Sequence, residues 1–170
     1  MPPSSSENSI IDWKEYINAF VDEMGTINKN NIQKIIPYGD DFFFIDRVYG
    51  LTDDAITGEF AISENQPYVL SHFTHNPVMP GCLVAESFAQ AGTILIRYNL
   101  GCCKAKDIFV GSIEKAKFKT PIKPGQTIKH IVQLKSMNVD LGVARLQGDT
   151  LINDIKVASY KLILAILDRE

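Results

Sequence analysis

The stretch HFTHNPVMPGCLVAES places one histidine, His72, fourteen positions before one glutamate, Glu86, with a rigid apolar connector between them. Pro77, Pro80 and Gly81 restrict the backbone where a loop enters a helix, because proline presets φ and is tolerated in the first helical turn. The sequence therefore predicts an imidazole and a carboxyl group at a structured corner of the fold.

These two groups suit acid–base chemistry at carbon. An imidazole exchanges a proton near neutral pH, and the pKa of a carboxyl group in an apolar setting rises toward that range. Glu86 lies about one and a half turns into the predicted helix. The first turn offers free backbone N–H groups at Gly81 and Cys82 that can stabilise a developing enolate oxygen. The corner therefore indicates an acid–base lyase.

The same residues also have an interpretation without catalysis. A histidine before a proline turn is commonly a turn or core residue, and Glu86 forms a polar stripe with Gln90, Thr93 and Arg97, as on a solvated helix face. The other faces of this helix are apolar or small, so it is predicted to be almost wholly enclosed. Because a buried carboxylate is costly unless it is used or paired, the catalytic interpretation is favoured.

A metal site is another interpretation of these residues. His72 and His75 form an HxxH pair with Cys82 and Glu86 close in sequence, and these ligand types suit zinc. Their spacing fits none of the usual zinc patterns, so we expect no metal. Another histidine, His130 in IKHIVQL, is predicted to face solvent on a strand.

Composition indicates an ordinary globular chain. The 170 residues suit one domain, with 45% hydrophobic and 22% charged residues. No apolar run approaches the ~20 residues that span a bilayer, and the start MPPSSSEN lacks the order of a secretion signal. Three cysteines, with Cys102 and Cys103 adjacent, fit no disulfide, redox or metal framework. We therefore expect a cytoplasmic protein without membrane association.

Hydrophobic periodicity predicts the elements. After a disordered start, apolar residues at helical spacing predict an amphipathic helix over about residues 10–24. A buried helix should run from Pro80 to about Asn99 and stop at Gly101. Strands are predicted at residues 42–50, 55–62, 108–119, 126–138, 142–151 and 154–167. One long helix followed by long antiparallel strands predicts an α+β layout with a sheet wrapped round the helix.

The segment HFTHNPVMPGCLVAESFAQ resembles the signature of the β-hydroxyacyl-[acyl-carrier-protein] dehydratases, which share a pattern close to GHFPxxPVMPGxLxxEAxAQ. Upstream, FFFIDRV is similar to their PFLLVDRV, with Asp46 and Arg47 in step. The likeness runs from about Ile36 to Leu167. It implies one hotdog domain at residues 36–170, with a long central helix wrapped by an antiparallel sheet, preceded by an extension at residues 1–35 that holds the extra helix.

The resemblance implies an activity and its residues. These enzymes remove water from a 3-hydroxyacyl thioester of acyl carrier protein, giving the trans-2-enoyl thioester without a cofactor. Their catalytic histidine falls on His72, their glutamate on Glu86 and their carbonyl-binding glycine N–H on Gly81. His72 is expected to take the C2 proton. Glu86, from the other subunit of a homodimer or dimer-based oligomer, is expected to protonate the departing hydroxyl.

Some positions depart from the family pattern. Ser71 replaces a glycine and Thr74 replaces a proline, which bears on how His72 is presented. The family's HRYP reads Tyr38, Gly39, Asp40 and Asp41 here. Cys82 is similar to the branch that also isomerises its product, but that branch has aspartate at the position of Glu86, which favours the simple dehydratase.

Charge is uneven along the chain. The net charge is −3, yet residues 97–123 hold seven basic and two acidic side chains, a local balance of +5. Within this segment Lys115, Lys117 and Lys119 alternate, so they should share one strand face. That face is either simply solvated or a docking site for acidic acyl carrier protein. Nucleic acid is not expected, because the protein is net acidic and carries no binding motif.

Two classes of alternative function stay open. Among enzymes, these are other hotdog activities, namely a dehydratase/isomerase, a thioesterase or a coenzyme A hydratase. Outside the enzymes, the alternative is an acyl-carrier-binding subunit that keeps the fold without turnover. Intact His72 and Glu86 argue against the second class, while Ser71 and Thr74 keep it open.

Overall fold

The computed structural model of the chain describes residues 9–169. The helices are α1 (Trp13–Asn18), α2 (Lys29–Ile35), α3 (Pro67–Leu70) and α4 (Gly81–Tyr98), with a 3-10 helix at Asp40–Phe42. The strands are β1 (Ile11–Asp12), β2 (Thr26–Asn28), β3 (Arg47–Tyr49), β4 (Ala55–Ala61), β5 (Cys102–Cys103), β6 (Lys106–Phe118), β7 (Thr127–Asn138), β8 (Val143–Ile152) and β9 (Ile155–Asp168).

Seven strands form one antiparallel sheet in the order β2-β3-β4-β7-β8-β9-β6, and β1 pairs with β5 separately. The sheet packs one face against α4, which contacts β4, β6, β7 and β8. The predicted alternation is confirmed in β9, where the core face buries Ala158, Tyr160, Leu162, Leu164 and Ile166. The α+β layout with a wrapped central helix is therefore confirmed.

Small residues set the close approach of helix and sheet. A Cβ on Gly92 would lie 2.1 Å from Cδ1 of Leu146, and one on Gly58 would lie 3.0 Å from Cβ of Ala91. Substitution at either position would force the sheet away from α4 or displace a core side chain. The helix ends where predicted, since Gly101 has a φ of +68°, in the left-handed region that glycine adopts freely.

The N-terminal helix is shorter than predicted. Instead of spanning residues 10–24, α1 covers only Trp13–Asn18, where the Asp12 carboxylate caps it by accepting the N–H of Glu15 at 3.0 Å. Beyond it, the Asp22 side chain accepts the N–H groups of Met24 and Thr26. This local side-chain bonding makes a turn and offers the backbone an alternative to helix. The helix α2 was not predicted.

The predicted strand at residues 42–50 is also mostly wrong, because β3 spans only Arg47–Tyr49. The preceding backbone bonds to side chains of α4 instead of a neighbouring strand. The N–H of Phe44 donates to Gln90 Oε1 at 2.9 Å, and the carbonyl of Phe44 accepts from Ser87 Oγ at 2.7 Å. Residues 43–45 are therefore buried without strand pairing.

The prediction that His130 faces solvent is wrong, since its side chain is 0% exposed. It lies on β7, a strand inside the sheet, on the face that packs on α4. Nδ1 lies 2.9 Å from Thr150 Oγ1, and Nε2 lies 2.7 Å from Ser87 Oγ. Because Ser87 donates its proton to Phe44, its oxygen accepts from His130 Nε2–H, and burial keeps the imidazole neutral by lowering its pKa. The histidine is thus a satisfied core residue.

Burial of His130 should make the fold sensitive to acid. Burial lowers its pKa from 6.5 to about 3, so between these values the unfolded chain binds one proton that the folded chain excludes. Below pH 6.5 the free energy of unfolding should fall by about 1.4 kcal/mol for each pH unit because of this group. Above pH 6.5 this group should make no difference to how the free energy of unfolding changes with pH. Urea unfolding across this range should show that slope in the wild type and in His75→Gln, at an exposed histidine, but not in His130→Gln. An unchanged slope in His130→Gln would assign the acid sensitivity to other groups.

The strand β6 is an open edge of the sheet. Every residue from Phe109 to Phe118 is exposed, including Phe109 (54%) and Ile113 (54%), which are large and apolar. An exposed, long and apolar edge strand invites pairing with another chain.

Within residues 9–169 no helix is long and apolar enough to cross a membrane.

Candidate active site

His72 lies in the loop between α3 and α4 and is half-buried. Its Nδ1 is 3.0 Å from the carbonyl oxygen of Val78, and its backbone N–H donates to Val69 at 3.1 Å. The Val78 carbonyl only accepts, so in the neutral imidazole Nδ1 carries the proton. The lone pair of Nε2 is therefore left available to take a proton.

The departure from the family pattern at Ser71 is accommodated by the backbone. Ser71 has φ −82° and ψ −12°, an ordinary right-handed conformation that any residue adopts, so a glycine is not needed there. The strained position is Phe73, whose φ is 60°. Its carbonyl accepts from Asn76 N–H at 2.8 Å, and its ring lies 4.6 Å from the imidazole of His72. A left-handed non-glycine residue beside a candidate base is the kind of strain that functional sites hold.

Glu86 lies on α4 and is half-buried. Its Oε1 accepts from Nε2 of Gln90 at 3.1 Å, and the same Nε2 donates to the carbonyl of Phe42 at 3.0 Å. Gln90 is 0% exposed and is fixed further by the N–H of Phe44. The Gln90 side chain thus orients the Glu86 carboxylate and also binds the backbone of Phe42 and Phe44.

Gln90 was not predicted as a site residue, although its i, i+4 spacing from Glu86 places the two side chains as neighbours on one helix face. The available signal was this spacing, on a helix that the sequence predicts to be almost wholly enclosed. Burial distinguishes a site residue from a residue on a solvated face, because a fully buried amide needs a partner for each polar group.

The start of α4 presents two free donors. Within residues 9–169, the backbone N–H groups of Gly81 and Cys82 have no hydrogen-bond acceptor, and the first pairing groups of this turn are Leu83 and Val84, which donate to Pro80. A Cβ on Gly81 would lie 3.2 Å from the ring of Phe118, so glycine lets this ring pack on the helix start. Cys82 is exposed with a free thiol.

Within the described chain His72 and Glu86 are not joined. Each is bound to other groups, and no hydrogen bond or ion pair connects them in the part of the chain that the structure covers. Nor do the histidines, cysteines and acidic residues between residues 9 and 169 form a group of three that would hold a metal ion. One protomer therefore carries both chemical groups without bringing them into contact.

The three lysines lie on the last part of β6 and just beyond its end. Lys115 and Lys117 lie on β6 opposite Lys161 and Ser159 of β9, so they face away from the buried Tyr160 side of the sheet. Lys119 follows the end of β6, and its N–H donates to Val157 at 2.7 Å. Lys161 joins the basic face, which sequence alone missed because pairing register brings it there.

Comparison with known proteins decides the family. The FabA-like domain profile matches residues 36–161. The chain belongs to the FabA-like domain family. Among curated relatives, the 3-hydroxyacyl-[acyl-carrier-protein] dehydratase FabZ of Solibacter usitatus is 28% identical over 147 residues, 86% of this chain and 90% of that protein. The FabZ of Wolbachia sp. subsp. Brugia malayi is 34% identical over 139 residues, 80% and 94% of the two chains.

Solved structures show the hotdog fold of this FabA-like protein. The dehydratase heterocomplex ApeI:P from Xenorhabdus doucetiae matches with a TM-score of 0.67 at 11% identity, covering 79% of this chain and 89% of that chain. The E. coli PaaI protein from the phenylacetic acid degradation operon matches with a TM-score of 0.55 at 9% identity, covering 69% and 80%. At such identities the likeness concerns the fold alone, and a fold does not fix an activity.

Proposed function

We propose that this FabA-like protein is a hydro-lyase that converts 3-hydroxyacyl-[acyl-carrier-protein] to the trans-2-enoyl thioester in fatty-acid or polyketide-type biosynthesis. The observation that carries the proposal is the pair of chemical groups at the α3–α4 corner. The Nε2 lone pair of His72 is free, and the carboxyl group of Glu86 is held by the amide of Gln90. The FabZ relatives are similar to this chain along most of its length.

The proposed mechanism assigns one role to each group. Nε2 of His72 takes the C2 proton, and the electron pair left on C2 forms the new double bond as the C3–O bond breaks. Glu86, protonated at that moment, gives its proton to the departing hydroxyl, which leaves as water. The free N–H groups of Gly81 and Cys82 stabilise negative charge on the thioester oxygen. No cofactor is required, because the proton and the hydroxyl account for all atoms.

Gln90 is proposed as a positioning residue. Its amide holds one oxygen of Glu86 while its other bonds fix Phe42 and Phe44. A carboxyl group held in one orientation delivers its proton along a defined path.

The site is proposed to be completed by a second copy of the chain. His72 and Glu86 are bound to separate partners within one protomer, and the open edge β6 offers ten consecutive exposed residues for pairing, from Phe109 to Phe118. Pairing of two β6 edges about a twofold axis would continue the sheet and bury the exposed apolar side chains. It would also bring Phe118, which packs on the start of α4, to the subunit boundary.

The activity is tested by incubating the protein with 3-hydroxyacyl carrier proteins of several chain lengths and following the acyl group by mass spectrometry. Loss of one water from the carrier-bound acyl group is expected. Release of the free acid would indicate a thioesterase. A product that is dehydrated and then changes its double-bond position would indicate a dehydratase/isomerase. Carrier binding without any turnover would indicate the non-catalytic subunit.

Docking of acidic acyl carrier protein is proposed at the basic face formed by Lys115, Lys117, Lys119 and Lys161. These side chains are exposed, and the like-charged pair Lys115 and Lys161 lies directly opposite across two strands. Like charges opposite each other destabilise a sheet slightly, so a partner of opposite charge would relieve the repulsion. Opposite potentials also accelerate encounter and are screened by salt.

Reversal of Lys115, Lys117 and Lys119 to glutamate should raise KM for the carrier-bound substrate about tenfold or more, with a smaller fall in kcat, because each reversal removes attraction and adds repulsion. A short pantetheine thioester, which lacks the carrier's charges, should be turned over almost as before. Lys161→Glu should also raise KM for the carrier-bound substrate. Lys135→Glu, which reverses an exposed charge on β7, should leave this KM unchanged. Equal loss with both substrates would place these lysines in the fold, and no loss would make the face simply solvated.

A further inference from the structure

A cavity of about 210 Å³ lies on the same face of α4 as Glu86 and opens to solvent. It is lined by residues 36–38, by Thr93 and Arg97 of α4, and by residues 107–109 of β6. Glu86, Thr93 and Arg97 follow one helical stripe, and eleven residues from Glu86 to Arg97 correspond to about 16 Å along the helix axis. The cavity thus lies at the far end of the face that holds the candidate acid.

Arg97 is the unusual residue of this cavity. Its side chain is 2% exposed, one terminal NH2 group donates to the carbonyl of Lys106 at 2.9 Å, and Cζ lies 4.8 Å from the ring centre of Trp13. Its Nε has no hydrogen-bond partner within the described residues. A buried donor on a charged group is costly when unpaired, so it marks a place for an acceptor.

Within residues 9–169, one carboxylate beside the cavity acts on Arg97, that of Asp107. Its Oδ1 is also bound by Nε and Nη2 of Arg169, both at 3.0 Å. Burial lowers the pKa of Arg97 to about 10, which still leaves the guanidinium charged at neutral pH. In the part of the chain that the structure covers, two guanidinium groups, those of Arg97 and Arg169, share the one carboxylate of Asp107.

Neighbouring hydroxyls add donors to the same space. Thr93 is 4% exposed, and Tyr38 is partly buried beside it. Burial raises the pKa of Tyr38, while the Thr93 hydroxyl, which donates toward the Tyr38 oxygen, lowers it. An oxygen acceptor beside Arg97 would meet the guanidinium and the Tyr38 hydroxyl, while a methyl group there would leave Nε of Arg97 unpaired.

We propose that this cavity receives the far end of the acyl chain and that this end carries a carboxylate, which accepts from Arg97. The proposal rests on the proposed dehydratase function and narrows its substrate class to acyl thioesters with an anionic terminus. The apolar members of the lining, such as Ile36 and Ile108, contact the methylene chain on its way to Arg97. Arg97 is then a specificity-determining residue, remote from the reacting carbon atoms.

The test is equilibrium binding of saturated acyl-pantetheine thioesters, which cannot be dehydrated, in matched pairs of equal length that end in a methyl group or a carboxylate. Trp13 is the single tryptophan of the chain and contacts Arg97, so its fluorescence reports on the cavity, with calorimetry as the second readout. A charged hydrogen bond predicts that the carboxylate-ended ligand binds about ten- to a hundredfold tighter at one chain length. Arg97→Met should abolish this preference, and Arg97→Lys should keep part of it.

Equal binding of the two ligands by the wild-type protein, or tighter binding of the methyl-ended one, would overturn the inference without any variant. A preference that survives in a folded Arg97→Met protein, checked by its thermal unfolding, would overturn it as well. Dehydration of methyl-ended 3-hydroxyacyl carrier proteins alongside equal binding would reject the anionic terminus and leave the dehydratase function standing. Carboxylate-selective binding without turnover of any 3-hydroxyacyl substrate would reject the dehydratase function and leave the cavity assignment standing.

Discussion

His72→Ala and Glu86→Gln should each lower kcat for dehydration by about three orders of magnitude or more, because each removes one of the two proton-transfer groups. The double variant should be little slower than either single variant, since the two groups act on one reacting unit. The measurement is the initial rate of water loss from a 3-hydroxyacyl carrier protein, with thermal unfolding as the check on the fold. Retention of more than about a tenth of the activity would remove that residue from the mechanism.

The matched control lies in the same loop. His75 is exposed three residues after His72, so His75→Ala should leave kcat nearly unchanged. The kcat of Gln90→Ala should lie between that of His75→Ala and those of the His72→Ala and Glu86→Gln variants. The reason is that this substitution frees the Glu86 carboxyl group without removing it. In the same variant the loss of bonds to Phe42 and Phe44 should lower thermal stability, whereas Glu86→Gln should not. This separation distinguishes a positioning role from a chemical one.

Long, strongly patterned elements could be predicted from the sequence. The helix α4, expected at Pro80 to about Asn99, covers Gly81–Tyr98, and the expected final strand at residues 154–167 covers Ile155–Asp168. Their periodicity reflects burial on a single face, which the sequence records directly. Short elements were less readable, since an apolar period over residues 10–24 arises from Trp13 and Ile17 packing inward from one short helix.

What the sequence could not show is long-range pairing. His130 reads as a polar residue on an alternating strand, and only the contact with Ser87 and Thr150 explains how the core accepts it. Lys161 joins the basic face through a register that depends on two β-bulges in β6. Arg97 reads as the polar end of a stripe, and its burial follows from β6 and Trp13 closing over it. Each case involves partners distant along the chain.

Mixing two inactive variants should restore activity if the site straddles two subunits. In a population of His72→Ala and Glu86→Gln chains that exchange freely, half of the dimers are hybrids. A hybrid combines the intact His72 of one chain with the intact Glu86 of the other at one of its two sites. About a quarter of the wild-type activity should therefore return, several orders of magnitude above either variant alone.

Recovery of activity on mixing is expected because His72 and Glu86 are not in contact within one protomer. His72 is fixed by Val78 and Glu86 by Gln90, while the exposed edge β6 and the Phe118 ring at the start of α4 leave a surface for a second copy. Exchange should be proven independently with differently tagged chains, and mixing His72→Ala with a double variant, His72→Ala with Glu86→Gln, is the matched control that must stay inactive. A mixture that stays inactive despite proven exchange, or a protein that is monomeric while fully active, would place His72 and Glu86 of one chain in the same site.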